Sequence, residues 1–135
     1  MPYLIAVNAL AQEVEDTDIM DALFGTETIE IQVTEFGVRQ RTRRLPDGVW
    51  GNRSSPRYTR LSAVLVASGL QAWNLSIAPV CVYHNPWATR AYRGELTRLN
   101  QRVPNGDRME FVRGEPLQRV LGLPDDWPQN ATRSE

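Results

Sequence analysis

Apolar residues along this chain come in two patterns, alternating and unbroken, and each predicts a different kind of element. Tyr3-Leu4-Ile5-Ala6-Val7 is an unbroken β-prone block closed by Asn8, which predicts a buried strand interior to a sheet. Asp16 or Thr17 offers an N-cap for the segment that follows. Ile19 with Leu23 and Met20 with Phe24 fall at i,i+4, and Gly25 suits the position after a helix end, so this is a short helix with one apolar face. Thr28–Thr34 alternates, with Ile29, Ile31 and Val33 on one side and Glu30 and Gln32 on the other. A turn at Glu35-Phe36-Gly37 and a second alternating run, Val38–Arg43, complete a hairpin.

Pro46-Asp47-Gly48 predicts another turn, and residues 51–56 read as loop. Arg60–Val66 is apolar on both faces and predicts a central strand. Gly69 to Trp73 leaves the sheet. Val80–Tyr83 predicts a further strand, running into His84-Asn85-Pro86-Trp87. Beyond Ala91 the pattern weakens. Met109–Val112 reads as a short edge strand and Glu115–Leu121 as one or two helical turns closed by Gly122 and Pro124. The expectation is an α/β or α+β fold, with a mixed sheet of about five strands, one clear helix and an irregular C-terminal region. A single globular domain is expected over residues 1–128, possible as a partial domain, with a polar tail at 129–135.

Composition narrows the chemistry. All fifteen basic residues are arginine. A phosphate-loop NTPase, a Schiff-base enzyme and a nuclease of the Asp…(Asp/Glu)-x-Lys type all need a lysine, so none can be complete here. One His and one Cys are too few for a zinc site built from those residues alone. A net charge of −1 provides no general attraction to nucleic acid or membrane. No apolar run has the length of a membrane span. A lone Cys implies no disulfide framework and fits a reducing cytoplasm. No cofactor or metal is expected, and the chain is read as a non-enzyme rather than an enzyme.

Three groups of residues carry candidate chemistry. Glu13, Glu15, Asp16, Asp18 and Asp21 form an acidic cluster that lacks the spacing of a calcium loop and reads best as a solvated approach to the helix. Arg39, Arg41 and Arg43 share one face of a strand, and Arg44, Arg53, Arg57 and Arg60 add charge with only Asp47 opposing. That region could track a phosphate backbone, with Trp50 and Tyr58 stacking on bases. The alternative is a charged edge strand whose arginines pair with Glu30 and Glu35. His84 and Asn85 sit at a strand end, where sites occur in α/β folds. The alternative there is a histidine bonded to backbone at a tight corner, with Trp87 packed beneath it. Cys81 is expected to be a buried inert thiol, and Trp73 and Trp87 core or core-edge aromatics.

Residues 2–8 with Asp21-Ala22-Leu23-Phe24-Gly25, Arg60–Val66 with Leu70 to Trp73, and Tyr83-His84-Asn85-Pro86-Trp87-Ala88 form an ordered set. Over roughly residues 2–90 the chain resembles the C-terminal half of a group of uncharacterised bacterial proteins, whose upstream half resembles the restriction-endonuclease-like core. The resemblance implies that the acidic and lysine positions of such a core lie upstream of the Tyr3–Val7 strand, so no catalytic residue carries over. It implies a gene remnant, a split-gene product, a mis-called start or a stand-alone derivative. Two functions are therefore expected as alternatives. One is a non-catalytic scaffold or interaction domain, vestigial or needing a partner chain or second copy at the N-terminal strand. The other is a small nucleic-acid-binding module using residues 39–60.

Overall fold

A computed structural model describes residues 2–10, 14–106, 108–124 and 127. The fold is α+β. Its contacts group into two compact units, one formed by Met1–Glu13 with Thr59–Glu135 and the other by Val14–Tyr58. The expected polar tail, and Glu13 of the acidic cluster, lie outside the described residues.

The first unit is a mixed five-stranded sheet. Its strands are β1 (Tyr3–Ala9), β4 (Leu61–Ser68), β5 (Val80–His84), β6 (Asn100–Asn105) and β7 (Arg108–Val112), in the order β1-β4-β5-β6-β7. β2 (Glu27–Thr34) and β3 (Gly37–Arg44) belong to the second unit. β1 runs parallel to β4 and β5 parallel to β6, while β4–β5 and β6–β7 are antiparallel. Ser62, Ala63, Val64 and Ala67 of β4 are buried, as its unbroken apolar run requires. By register, Ala63 and Ala67 share a face with Val80 and Val82, and these four form a core with Leu99. Leu96 from the 3-10 turn Glu95–Arg98 and Leu117 and Val120 from α2 (Leu117–Val120) pack against that core. Gly114 is required beside it, because any side chain there would meet the backbone of Arg98 and Leu99.

Three expectations change in this unit. Tyr3–Val7 is a strand, but β1 is an edge strand and not an interior one, and Tyr3, Ile5 and Val7 are exposed. An apolar block specifies a strand without specifying that both of its sides are occupied. The C-terminal part is less irregular than expected, because β6 lies between β5 and β7. Its Asn-Gln-Arg-Val-Pro-Asn sequence has little apolar signal. Trp73 lies 67 % exposed, outside the core.

The second unit is a helix, a hairpin and a returning loop. In α1 (Asp16–Phe24) the N-cap is Glu15, and its N–H donates to the Asp18 carboxylate at 2.9 Å. Met20 and Leu23 are buried. After the helix, β2 and β3 form a separate antiparallel sheet closed by a turn at Glu35-Phe36. The loop then returns to the helix end, where the N–H groups of Val49 and Trp50 donate to the carbonyls of Ala22 and Leu23. Gly48 lies so close to the backbone of Leu23 and Phe24 that no side chain fits there. Trp50 is fully buried, edge-on to Phe24 with ring centroids 4.8 Å apart. Its indole N–H has no acceptor among the described residues.

Candidate functional site

Three places in the molecule carry features that folding alone does not use. The first is the outer side of β1. Asn8 fixes one end of this strand: its Oδ1 accepts the Leu70 N–H at 2.9 Å and its Nδ2 donates to the Leu70 carbonyl at 3.0 Å. At the other end the Tyr3 N–H donates to Ser62 Oγ at 3.1 Å, at a register shift between Tyr3 and Leu4. The strand is thus held on β4 along its whole length. Tyr3, Ile5 and Val7 share a face by alternation and are 58, 52 and 46 % exposed. Ala6 and Asn8 on the opposite face are exposed as well. No described strand pairs with the far side of β1.

The second place is the β2–β3 ribbon. The register sets Thr28, Glu30 and Gln32 opposite Arg43, Arg41 and Arg39. The three arginines therefore line one face, as alternation predicts. Pairing with Glu30 and Glu35 does not occur: no ion pair within 4.0 Å joins these arginines to an acid among the described residues, although Glu30 lies directly across from Arg41. The opposite face carries Ile29, Ile31, Val33 and Val38, which are all exposed, and Phe36 at the turn is 96 % exposed.

Arg44 has a different role. Its Nη1 donates to the Gly25 carbonyl at 2.7 Å and lies 3.2 Å from Asp21 Oδ1, and its Nη2 lies 3.8 Å from Glu27. It fixes the ribbon's root to the end of α1. Asp47 supports the same root, accepting from the Thr26 N–H and from its hydroxyl, both at 2.8 Å. These bonds, the backbone one first, hold the Asp47 carboxyl below its ordinary range. Arg57 is exposed and belongs to this unit, whereas the exposed Arg60 belongs to the other. Trp50 is buried and has no face to offer a base, while Tyr58 is exposed and held at a positive φ of 53°.

The third place is a cleft of about 370 Å³ where β5 and β6 end. His84, the last residue of β5, is 9 % exposed. Its Nε2 is 2.8 Å from Gln101 Oε1 on β6, a side-chain partner in place of the expected backbone one. The β5–β6 ladder ends at the Tyr83 and Arg102 pair. Asn85 forms a wall. Its Nδ2 donates to the Leu61 carbonyl at 3.0 Å, and its Oδ1 accepts the Trp87 N–H at 3.0 Å. Ser62 Oγ donates to the Arg90 carbonyl at 2.6 Å. Tyr92, Arg93 and Thr97 also line the cleft. Sequence reasoning reached His84 and Asn85 but missed Gln101, Arg93 and Thr97, which sit in irregular or weakly patterned stretches.

No group of three or more His, Cys, Asp or Glu side chains is placed to hold a metal ion among the described residues. In the acidic cluster, Asp18 caps α1 and Asp21 binds Arg44. Among the described residues no helix is long and apolar enough to cross a membrane. No protein-family model, curated protein or solved structure matches the chain.

Proposed function

We propose that this chain is a non-catalytic interaction domain whose five-stranded sheet is extended at β1 by a strand from another polypeptide. The observation that carries this reading is the state of β1: apolar, fixed along β4, largely exposed apart from Leu4, and unpaired on its outer side among the described residues. A row of unpaired backbone groups on a flat apolar strand is a template for an incoming strand, and natural edges are usually blunted by charge, Pro or a covering loop. β1 has no charged residue and no Pro between Tyr3 and Ala9. Strands in parallel pairs are normally covered on both faces, and an added segment would also cover Ile5 and Val7. This agrees with the resemblance to the C-terminal half of nuclease-like proteins, in which the acidic and lysine positions of the core lie upstream of the strand equivalent to β1. With no lysine, the purified chain is expected not to cleave DNA in Mg²⁺ or Mn²⁺.

Sedimentation at several concentrations tests the reading, with a second copy as the available strand donor. The wild type is expected to associate as concentration rises, and Ile5→Lys with Val7→Lys to abolish association without lowering Tm. Association unaffected by the two lysines would place the contact elsewhere and remove the proposal.

A second reading has its own support. Arg39, Arg41 and Arg43 recur every second residue, roughly 6.8 Å apart along the strand. That is about twice the rise of ~3.4 Å per phosphate on one DNA strand. On this reading the ribbon is a nucleic-acid-binding arm. Replacing the three arginines by Gln is expected to flatten the plot of log K against log salt by up to about three phosphate equivalents. Binding that is undetectable at about 50 mM salt, where such contacts are strongest, would eliminate it.

A further inference from the structure

We propose that the cleft at the ends of β5 and β6 binds a small organic anion, a carboxylate or phosphate ester that also carries a hydroxyl group. This is independent of the β1 edge and of the arginine ribbon. The argument starts from which polar atoms of the lining are already used. Asn85 commits both ends of its amide to the Leu61 carbonyl and the Trp87 N–H. Ser62 Oγ accepts the Tyr3 N–H and donates to the Arg90 carbonyl. Both residues build the wall and have little left to offer a ligand.

The remaining groups are different. Gln101 Oε1 can only accept, so at 2.8 Å it requires the proton of His84 to sit on Nε2. In the neutral imidazole Nδ1 is then an acceptor, and no hydrogen bond to it is formed among the described residues. The atom is open to the cleft, where a ligand hydroxyl can donate to it. Gln101 keeps its amide N–H groups available as donors. Thr97 spends its hydroxyl proton on the Gly94 carbonyl at 2.7 Å, which leaves Oγ1 as an acceptor.

Charge then selects the ligand. Among the described residues Arg93 is the only fixed charge lining the cleft, and no Asp or Glu lines it. Arg93 is exposed and makes no ion pair among the described residues. A guanidinium with no carboxylate nearby favours an oxyanion and admits both carboxylate and phosphate geometry. The volume, about 370 Å³, lies at the small end of the range of ligand sites and suits a small metabolite better than a dinucleotide. Tyr92 gives the cleft an aromatic side. Gly94 packs against its ring, so that a side chain at position 94 would force the ring to move.

The ¹⁵N-labelled full chain, titrated with lactate, with glucose 6-phosphate and with uncharged glucose, tests the proposal by NMR. At least one anionic probe is expected to give saturable shifts of the His84 imidazole nitrogens and the Gln101 side-chain amide, with Nδ1 moving more than Nε2. Arg93→Gln, a change at an exposed position, is expected to weaken that probe at least tenfold while the β4 and β5 amide spectrum stays unchanged. Response to lactate alone identifies a carboxylate site, to glucose 6-phosphate alone a phosphate-ester site, and to both an unselective oxyanion site. The proposal is overturned if neither anion gives a saturable shift. It is equally overturned if glucose binds as tightly as both anions, or if Arg93→Gln leaves affinity intact.

Discussion

The five-stranded sheet and the β2–β3 ribbon use similar residues to opposite ends. In β4, Val64 is 8 % exposed and Ala63 is fully buried, whereas in the ribbon Val33 is 76 % exposed and Ile31 60 %. The sheet derives its stability from a shared core with Leu99, α2 and the 3-10 turn. A two-stranded hairpin is marginal in water by itself. This one depends on its root, where Arg44 holds the end of α1, Asp47 holds Thr26, and Trp50 packs on Phe24. Alternation identifies the apolar face of a strand. Coverage of that face depends on what packs against it, and in that respect the two sheets are opposite.

The largest effect is expected at Ala63→Asp. Position 63 is fully buried at the centre of β4, and an unpaired carboxylate there costs several kcal/mol, enough to unfold the sheet. Loss of the cooperative transition in circular dichroism is the expected result, and an unchanged Tm would contradict the assignment of β4 to the core. Trp50→Ala comes next, at about 3–5 kcal/mol for truncating a buried aromatic. Trp50→Phe is expected to cost clearly less, because the indole N–H has no acceptor to lose among the described residues. Chemical denaturation of both variants compares them, and equal losses would mean that an acceptor exists.

A pH test addresses the root. Asp47 is held below its ordinary range by Thr26, so the unfolded chain binds the proton more readily. Its contribution is therefore present above the ordinary aspartate range and is lost as pH falls through the lowered folded value. The Tm gap between wild type and Asp47→Asn is expected to be widest near neutrality and to close in acid; a gap that is constant with pH would rule out the carboxylate's charge as the cause. The smallest effect belongs to the ribbon. Ile31→Thr should change stability by no more than about 0.5 kcal/mol, as surface substitutions do, although the same exchange at a buried position costs far more. A loss above about 1 kcal/mol would show that the apolar face is already covered.

Much of this architecture was legible where the pattern is dense. The α1 helix, the hairpin, β4, β5 and β7 follow from period and turn residues, although the N-cap of α1 is Glu15 and not Asp16 or Thr17. Gly25 ends α1 as its position implied. Legibility failed where a single strand was judged without its neighbours. Tyr3–Val7 has the composition of an interior strand, but occupancy of its far side is a property of the sheet and not of those residues. β6 was missed because its two pairings leave a polar sequence with a Pro in it. That omission hid Gln101, and with it the side-chain partner that fixes the orientation of His84. The stripe of Arg39, Arg41 and Arg43 was readable from alternation, whereas the capture of Arg44 by Asp21 and Gly25 depends on how the ribbon root folds.

The state of β1 is the most direct test of the whole account, and hydrogen–deuterium exchange of Leu4–Val7 at about 5 µM and 200 µM reads it. Backbone amides that bond β4 should be protected at both concentrations, while those on the outer edge should exchange quickly when dilute and slow markedly when concentrated, as an incoming strand covers them. Outer-edge amides that exchange equally fast at both concentrations would contradict pairing with a second copy. Protection of every β1 amide at the lower concentration would show that the edge is already closed within the chain, and the interaction-domain reading would fall.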